Sequence, residues 1–354
     1  MQASASSLQA FFGRNFRPFH LMHATEHISP QTGQTGTPRH IAFLSKSIAM
    51  DFLLPAFRGQ FPGAQLHWGA NLQALIDSGH AGEVEVAVCW HPPSEQLAQL
   101  PGLQLVQSIA AGIDHIDTTA LPGSPAVCRI IDSEMGYGMT AFVCWAVIHR
   151  QRHMDRYLVH AAARKWQDEP IIAPGRHRVG IAGLGTLGMG CARALLALGY
   201  DVRGWSRSAK PGLPAGLKAF HGPAQKADFL GGCETLICLL PLTAETQGFL
   251  DLDLMRQLPR GAHLINVGRG AHLVEADLLT ALAEGQIAAA TLDTFSVEPL
   301  PADHPFWQDE RVLITPHIAT RTDPRVIAQQ TANNWSAILA GRAAEVAIDL
   351  ERGY

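Results

Sequence analysis

Three polar side chains, each just past an apolar run, can together hold an organic acid and move a proton. Arg269 lies between glycines in "INVGRG" (265–270). Glu298 follows Asp293 in "LDTFSVEPLP" (292–301), and His317 follows Thr315 and Pro316 in "ITPHIA" (314–319). A guanidinium clamps a carboxylate through two parallel hydrogen bonds. An imidazole gives a proton to a carbonyl oxygen. A glutamate on its other nitrogen favours the charged ring. Each residue alone reads equally well as ordinary structure; the combination does not.

The same half of the chain carries a phosphate cradle. "GLGTLG" (183–188) ends one apolar run and opens the helical pattern "GMGCARALLALG" (188–199). Gly183 allows a tight turn, Gly185 lets the backbone approach a pyrophosphate, and Gly188 lets helix and strand pack closely. Free N–H groups at the helix start, around Thr186 and Leu187, attract the anion. In this fingerprint an acid ending the second strand binds the ribose 2′-hydroxyl. Here "YDVRGWS" (200–206) ends at Trp205 and Ser206 with Arg207 next, while Asp201 lies at its start. An arginine there pairs with a 2′-phosphate that a carboxylate would repel. Ser206 adds a donor and Lys210 adds charge. The expectation is NADPH (NADP) in preference to NADH. The alternative is that Arg207 is a solvated charge stacked on adenine.

These residues need a scaffold that brings loop ends together. Short apolar runs predict strands at 40–45, 84–90 and 103–112, then at 178–183, 200–206, 235–241, 263–268 and 288–295. Helical patterns fall between them, for instance at 49–63 and 275–285. Alternating strands and helices predict parallel sheets, whose ligands bind at the carboxyl ends of strands. The segment 139–166 has no Gly or Pro and reads as one or two helices crossing out of a first domain. Residues 317–341 read as a helix returning to it.

The 354 residues, 47% apolar, can build two domains, and a net charge of −4 weighs against nucleic acid and anionic membranes. No apolar run reaches membrane-spanning length. The six cysteines form no CxxC pair and read as buried, reduced thiols of a cytoplasmic protein, with no metal site. Residues 1–37 read as a partly disordered extension; their composition also fits a transit peptide. His20, His23 and His27 lack the cysteines or carboxylates that would make them a metal centre.

The motifs "GLGTLG", "LLPLTAET" (239–246), "INVGRG", "LDTFSVEPLP" and "TPHIA" occur in order, and the likeness they belong to covers nearly everything from about residue 40 to the C-terminus. In these the sequence resembles the D-isomer-specific 2-hydroxyacid dehydrogenase family. "VCWHPP" (88–93), "GWSRS", "RGAHLVEADLL" (269–279) and the terminal "RGY" make it most similar to the glyoxylate/hydroxypyruvate reductase type. The resemblance implies an α/β fold of two Rossmann-like domains, the nucleotide domain (139–319) inserted into a flavodoxin-like substrate domain (38–138 and 320–354). It implies reduction of a small 2-keto acid to the D-2-hydroxy acid. Arg269 would bind the substrate carboxylate, and His317, paired with Glu298, would donate the proton. The backbone at Ala111 and Gly112, in "AAGID" (110–114), would meet the carboxylate, and Trp90 would meet the far end of the substrate or simply pack the interface. Leu240, Pro241, Thr246, Val267 and Gly268 would line the cofactor, and Asp293 would hold its carboxamide. Gly268 replaces the family's Ala or Ser, a change expected to matter little. The basic segment 150–166 would help form a homodimer, or is a plain solvated helix. Two alternatives remain: an NAD-dependent dehydrogenase of another D-2-hydroxy acid, and a nucleotide-sensing interaction protein. The chain ends soon after the returning helix, which weighs against a phosphoglycerate enzyme with a regulatory domain there.

Overall fold

In a computed structural model, residues 36–344 and 347 are described. Most of the N-terminal extension, with its three histidines, and the terminal "RGY" lie outside the described residues.

The strands are β1 His40–Ser45, β2 Gln65–Trp68, β3 Val84–Trp90, β4 Leu105–Ser108 and β5 Ala126–Cys128, then β6 Arg178–Ala182, β7 Asp201–Ser206, β8 Lys218–His221, β9 Thr235–Cys238, β10 Ala262–Asn266, β11 Ile287–Leu292 and β12 Val312–Ile314. They form two sheets, ordered β2-β1-β3-β4-β5 and β12-β11-β10-β9-β6-β7-β8. Every strand pair within them is parallel. The first order is that of flavodoxin-like folds. The second, read from β8 to β11, is the dinucleotide-binding order, reversing between β6 and β9. The expected α/β class and parallel sheets are therefore observed.

Parallel sheets are covered on both faces, so their strands are apolar at successive positions. In β1, Ile41 and Phe43 pack with Phe57 and Trp335 on one face. Ala42 and Leu44 pack with Leu72 and Leu97 on the other. In the second sheet Val179, Ile181 and Val202 meet Val143 and Leu195, while Leu236, Leu264 and Leu292 meet Leu254 and Leu278. The returning helix is Pro324–Leu339, with Pro in its first turn and Asp323 capping it. Its Ile327 and Trp335 enter the core of the first sheet, and its Asn334 amide donates to Gln107 of β4 at 2.8 Å. The chain thus leaves the first sheet, builds the second and comes back.

The crossing segment is two helices, Ser133–Gln151 and Met154–Ala162. The break needs neither Gly nor Pro. His153 takes a left-handed φ of 55°, and Arg152 N–H ends the first helix on Ile148 O.

At the sheet's reversal point, Gly183 has φ +110° and Gly188 packs on it. A Cβ on Gly188 would lie 1.9 Å from Gly183 O, whereas one on Gly185 would meet nothing within 4 Å. Gly188→Ala should therefore cost about 1–3 kcal/mol of stability through overpacking. Gly185→Ala should stay within about 0.5 kcal/mol. Urea unfolding of the two variants checks the contrast; equal losses would contradict the packing argument.

Candidate active site

The site is built from loops that leave the carboxyl ends of both sheets. On the second sheet, β10 ends in the turn carrying Arg269. Asn266, fully buried, ties that turn to itself: its amide donates to Arg269 O at 3.0 Å, and its oxygen accepts from Gly268 N–H at 3.2 Å. Gly270 has no room for a side chain, since a Cβ would stand 1.9 Å from the Phe295 backbone. His272, also fully buried, accepts from Arg269 N–H through Nδ1 at 3.0 Å. Its Nε2–H donates to Pro241 O at 3.3 Å. Burial, foremost, lowers His272, so the ring is neutral and this tautomer is fixed. His272 therefore joins the arginine turn to the 240–246 turn after β9. A Cβ on Gly268 would lie 2.9 Å from this ring's Nδ1, so the glycine lets the ring sit close.

His317 lies in a second turn, tied by Asp293. The Asp293 carboxylate is 1% exposed. It accepts from Thr315 Oγ1 at 2.6 Å and from the N–H groups of Ile318 and Ala319, both at 2.8 Å. Three donors and no acceptor address it, as a carboxylate requires. Burial raises it, and these donors oppose the rise. His317 sits between them with φ +52°. Its Nδ1 is 2.9 Å from Glu298 Oε2, and Glu298 Oε1 accepts from Phe295 N–H at 3.0 Å. Burial pushes Glu298 up, but the His317 hydrogen bond and charge, Phe295 N–H and His91 together hold it below the usual carboxylate range. Glu298 is therefore ionised at neutral pH, and the His317 Nδ1 facing it is the protonated one.

The first sheet supplies the opposite wall. Ser108, fully buried at the end of β4, accepts from Ala110 N–H at 3.0 Å and donates to Gly112 O at 2.8 Å, shaping "AAGID". Trp90, at the end of β3, packs edge-on against His317 with centroids 5.3 Å apart and stacks at a tilt on His115 at 4.7 Å. Asp114 binds Arg269 through both carboxylate oxygens, Nε to Oδ2 at 2.8 Å and Nη2 to Oδ1 at 3.0 Å. Arg269, Glu298, His317, Trp90 and the Gly112 loop thus converge on one cleft. Sequence reasoning did not single out Asp114, His115 or His272. Asp114 is the last residue of "AAGID", of which only Ala111 and Gly112 were singled out, and His115 follows it.

On the cofactor side, Gly185 and Thr186 are exposed, Leu187 is half-buried, and the helix Thr186–Ala197 starts there. A Cβ on Gly183 would lie 2.5 Å from Leu239 O, so the 240–246 turn borders the cradle. Thr246 Oγ1 accepts from Thr243 N–H at 2.8 Å and donates to Pro241 O at 2.6 Å, closing that turn. Leu240 and Val267 are buried beneath. Ser206 is buried and its hydroxyl donates to Ser208 O at 2.9 Å. Arg207 is 78% exposed, with Glu245 as a loose neighbour at 3.9 Å. The glycine turn with open space over Gly185, the helix start and the exposed arginine fit a phosphorylated dinucleotide.

Asp293→Asn puts an amide NH₂ against backbone donors. It should cost about 1–3 kcal/mol of stability and reduce turnover by releasing the His317 turn. Urea unfolding and kcat on one preparation test this; unchanged stability would show that the carboxylate is not what holds the turn.

Known proteins resemble this chain in sequence and in fold. Residues 144–319 match the family model described as the D-isomer specific 2-hydroxyacid dehydrogenase NAD binding domain. The chain is 42% identical over 291 residues to the glyoxylate/hydroxypyruvate reductase A of Serratia proteamaculans, covering 80% of this chain and 92% of that one. A D-isomer specific 2-hydroxyacid dehydrogenase family protein of Klebsiella pneumoniae superposes with a TM-score of 0.80 at 37% identity, covering 90% of this chain and all of the other. The NADPH-dependent glyoxylate/hydroxypyruvate reductase of Sinorhizobium meliloti, solved with NADP and sulfate, gives 0.78 at 30% identity, covering 89% and 99%. The chain therefore belongs to the D-isomer specific 2-hydroxyacid dehydrogenase family.

Proposed function

We propose that the protein uses NADPH to reduce a small 2-keto acid, glyoxylate or hydroxypyruvate, to the D-2-hydroxy acid. The observation that carries this reading is the convergence of Arg269 with the His317–Glu298 pair on one cleft beside the glycine cradle. The relatives' names agree with it. Seated in the cradle, the dinucleotide supplies a hydride. Arg207 favours the phosphorylated form, because it is exposed just past β7, with the Glu245 carboxylate only a loose neighbour at 3.9 Å. Ser206 shapes that loop through its bond to Ser208.

The chain's own residues do the rest. Arg269 binds the keto acid's carboxylate and polarises its keto oxygen. Backbone N–H groups at Ala111 and Gly112 meet the same carboxylate. Glu298 holds Nδ1–H of His317, so the ring offers Nε2 to the keto oxygen and protonates it there. Trp90 packs His317 from the substrate side and excludes water. Asp293 would hold the cofactor carboxamide as well as the His317 turn. The two domains, one built on each sheet, close over the cleft.

Among the described residues no helix is long and apolar enough to cross a membrane. We assign the protein to the cytoplasm, where its free thiols, five of them buried, stay reduced; cell fractionation tests this. Leu158 and Val159, together with Trp166 and Ile171, are exposed on and after the helix Met154–Ala162. That apolar arm suits a second copy of the chain. Sedimentation should find a dimer, and Leu158→Glu should shift it toward monomer; a monomeric wild type would remove this assignment.

Mixed with hydroxypyruvate, the purified protein should consume NADPH much faster than NADH. His317→Ala should lower kcat by about 10²–10⁴-fold while NADPH still binds. Arg207→Ala should cut the NADPH preference on the order of tenfold or more. Equal use of both cofactors would discard the role of Arg207. Surviving turnover in His317→Ala would place the proton elsewhere.

A further inference from the structure

The clamp for the substrate's carboxylate is filled by a carboxylate of the chain itself. Asp114 and Arg269 lie 155 residues apart, on loops of different sheets, so their pair spans the cleft. The contact uses Nε and Nη2, the side-on fork of the guanidinium, while Nη1 is spent on Gly268 O at 3.0 Å. The pair rests directly on the loop backbone. A Cβ on Gly112 would stand 2.6 Å from Asp114 Oδ1 and 2.8 Å from Arg269 Nη2. Fork, loop backbone and carboxylate therefore meet where the keto acid's carboxylate is placed above. Two carboxylates in one fork repel each other, and the fork has room for one.

We propose that Asp114 is an internal competitor for substrate: its carboxylate holds the Arg269 fork in the free enzyme, and the keto acid binds by displacing it. The inference rests on the substrate reading of the preceding section. Displacement is feasible because the two side chains are 29% and 30% exposed, and a solvent-accessible ion pair is weak enough to exchange. The neighbour on which Asp114 could otherwise lean offers no charge. His115 is pushed down, foremost by burial, to about 4, and is neutral at neutral pH. Only an anionic ligand can replace what Arg269 loses, so the exchange selects acids over neutral aldehydes. It also hands Arg269 from the opposite loop to the ligand, breaking a contact across the cleft as the substrate enters.

The test compares wild type with Asp114→Asn, and with Asp114→Ser should the first variant fold poorly. Oxalate binding to the NADPH-loaded protein is measured by calorimetry, and KM and kcat are measured with hydroxypyruvate. Melting temperature and NADPH affinity serve as controls for the fold. Loss of the competitor should tighten oxalate and lower KM by about tenfold, with kcat within about twofold. Weaker oxalate binding and a raised KM would make Asp114 a positioning residue for Arg269 and overturn the proposal. Unchanged values would overturn it as well. A wild type that neither reduces hydroxypyruvate nor binds oxalate would overturn the substrate reading, and this inference with it; a wild type that does both separates the two.

Discussion

The Asp293 carboxylate holds the active site together. A carboxylate that is 1% exposed is costly unless its oxygens are met by donors. Here the donors come from one short turn, at Thr315, Ile318 and Ala319. The residue in their midst is His317, whose φ of +52° is unfavourable for a non-glycine side chain. Charge-assisted hydrogen bonds offset that strain. The conformation in turn aims Nδ1 at Glu298 and brings the ring's edge to Trp90. Were the turn to relax, the arginine and glycine turns would remain, but His317 would leave Glu298.

The other loops follow the same logic. Each is fixed by one buried polar residue at a strand end: Asn266 for the arginine turn, Ser108 for "AAGID". These residues are satisfied by their own loops, so each loop keeps its shape whatever the distance across the cleft. Links between loops are fewer and more specific. His272 couples the arginine turn to the Pro241 turn, and Asp114 couples "AAGID" to the arginine turn. The site is thus an assembly of loops, each tied by its own hydrogen bonds, on two parallel sheets.

Much of this was legible in the sequence. The strands of the nucleotide half announce themselves because both faces are buried, which makes them short unbroken apolar runs. Arg269, Glu298 and His317 stand out because each follows such a run. Elements that escaped are short, at an edge or more exposed: β2 and β8 carry exposed or half-buried residues at most positions, and β5 spans only Ala126–Cys128. The break at His153 gave no signal because a histidine, not a glycine, takes the left-handed turn. Asp293 was read for the cofactor alone; its hold on the His317 turn escaped, since nothing in "LDTF" reveals the donors waiting 22 to 26 residues later. Asp114 was invisible for a similar reason, its partner lying in the other half of the chain.

That last pair changes how the cleft is understood. A clamp that merely waited for substrate would be an exposed guanidinium open to any small anion. Because Asp114 fills it, the guanidinium's charge is compensated in the free protein, and an anion must carry enough geometry to do better. A 2-keto acid does so, since its carboxylate takes the fork while its keto oxygen reaches His317. An anion lacking the second oxygen gains only what Asp114 already provided. Selectivity at this site therefore arises from the difference between two carboxylates rather than from the strength of either. Trp90 against His317 and Asp114 against Arg269 are contacts between the two halves. On the proposed reading a ligand replaces the second contact and not the first, so Trp90 and His317 keep one link between the halves while the substrate takes the Arg269 fork.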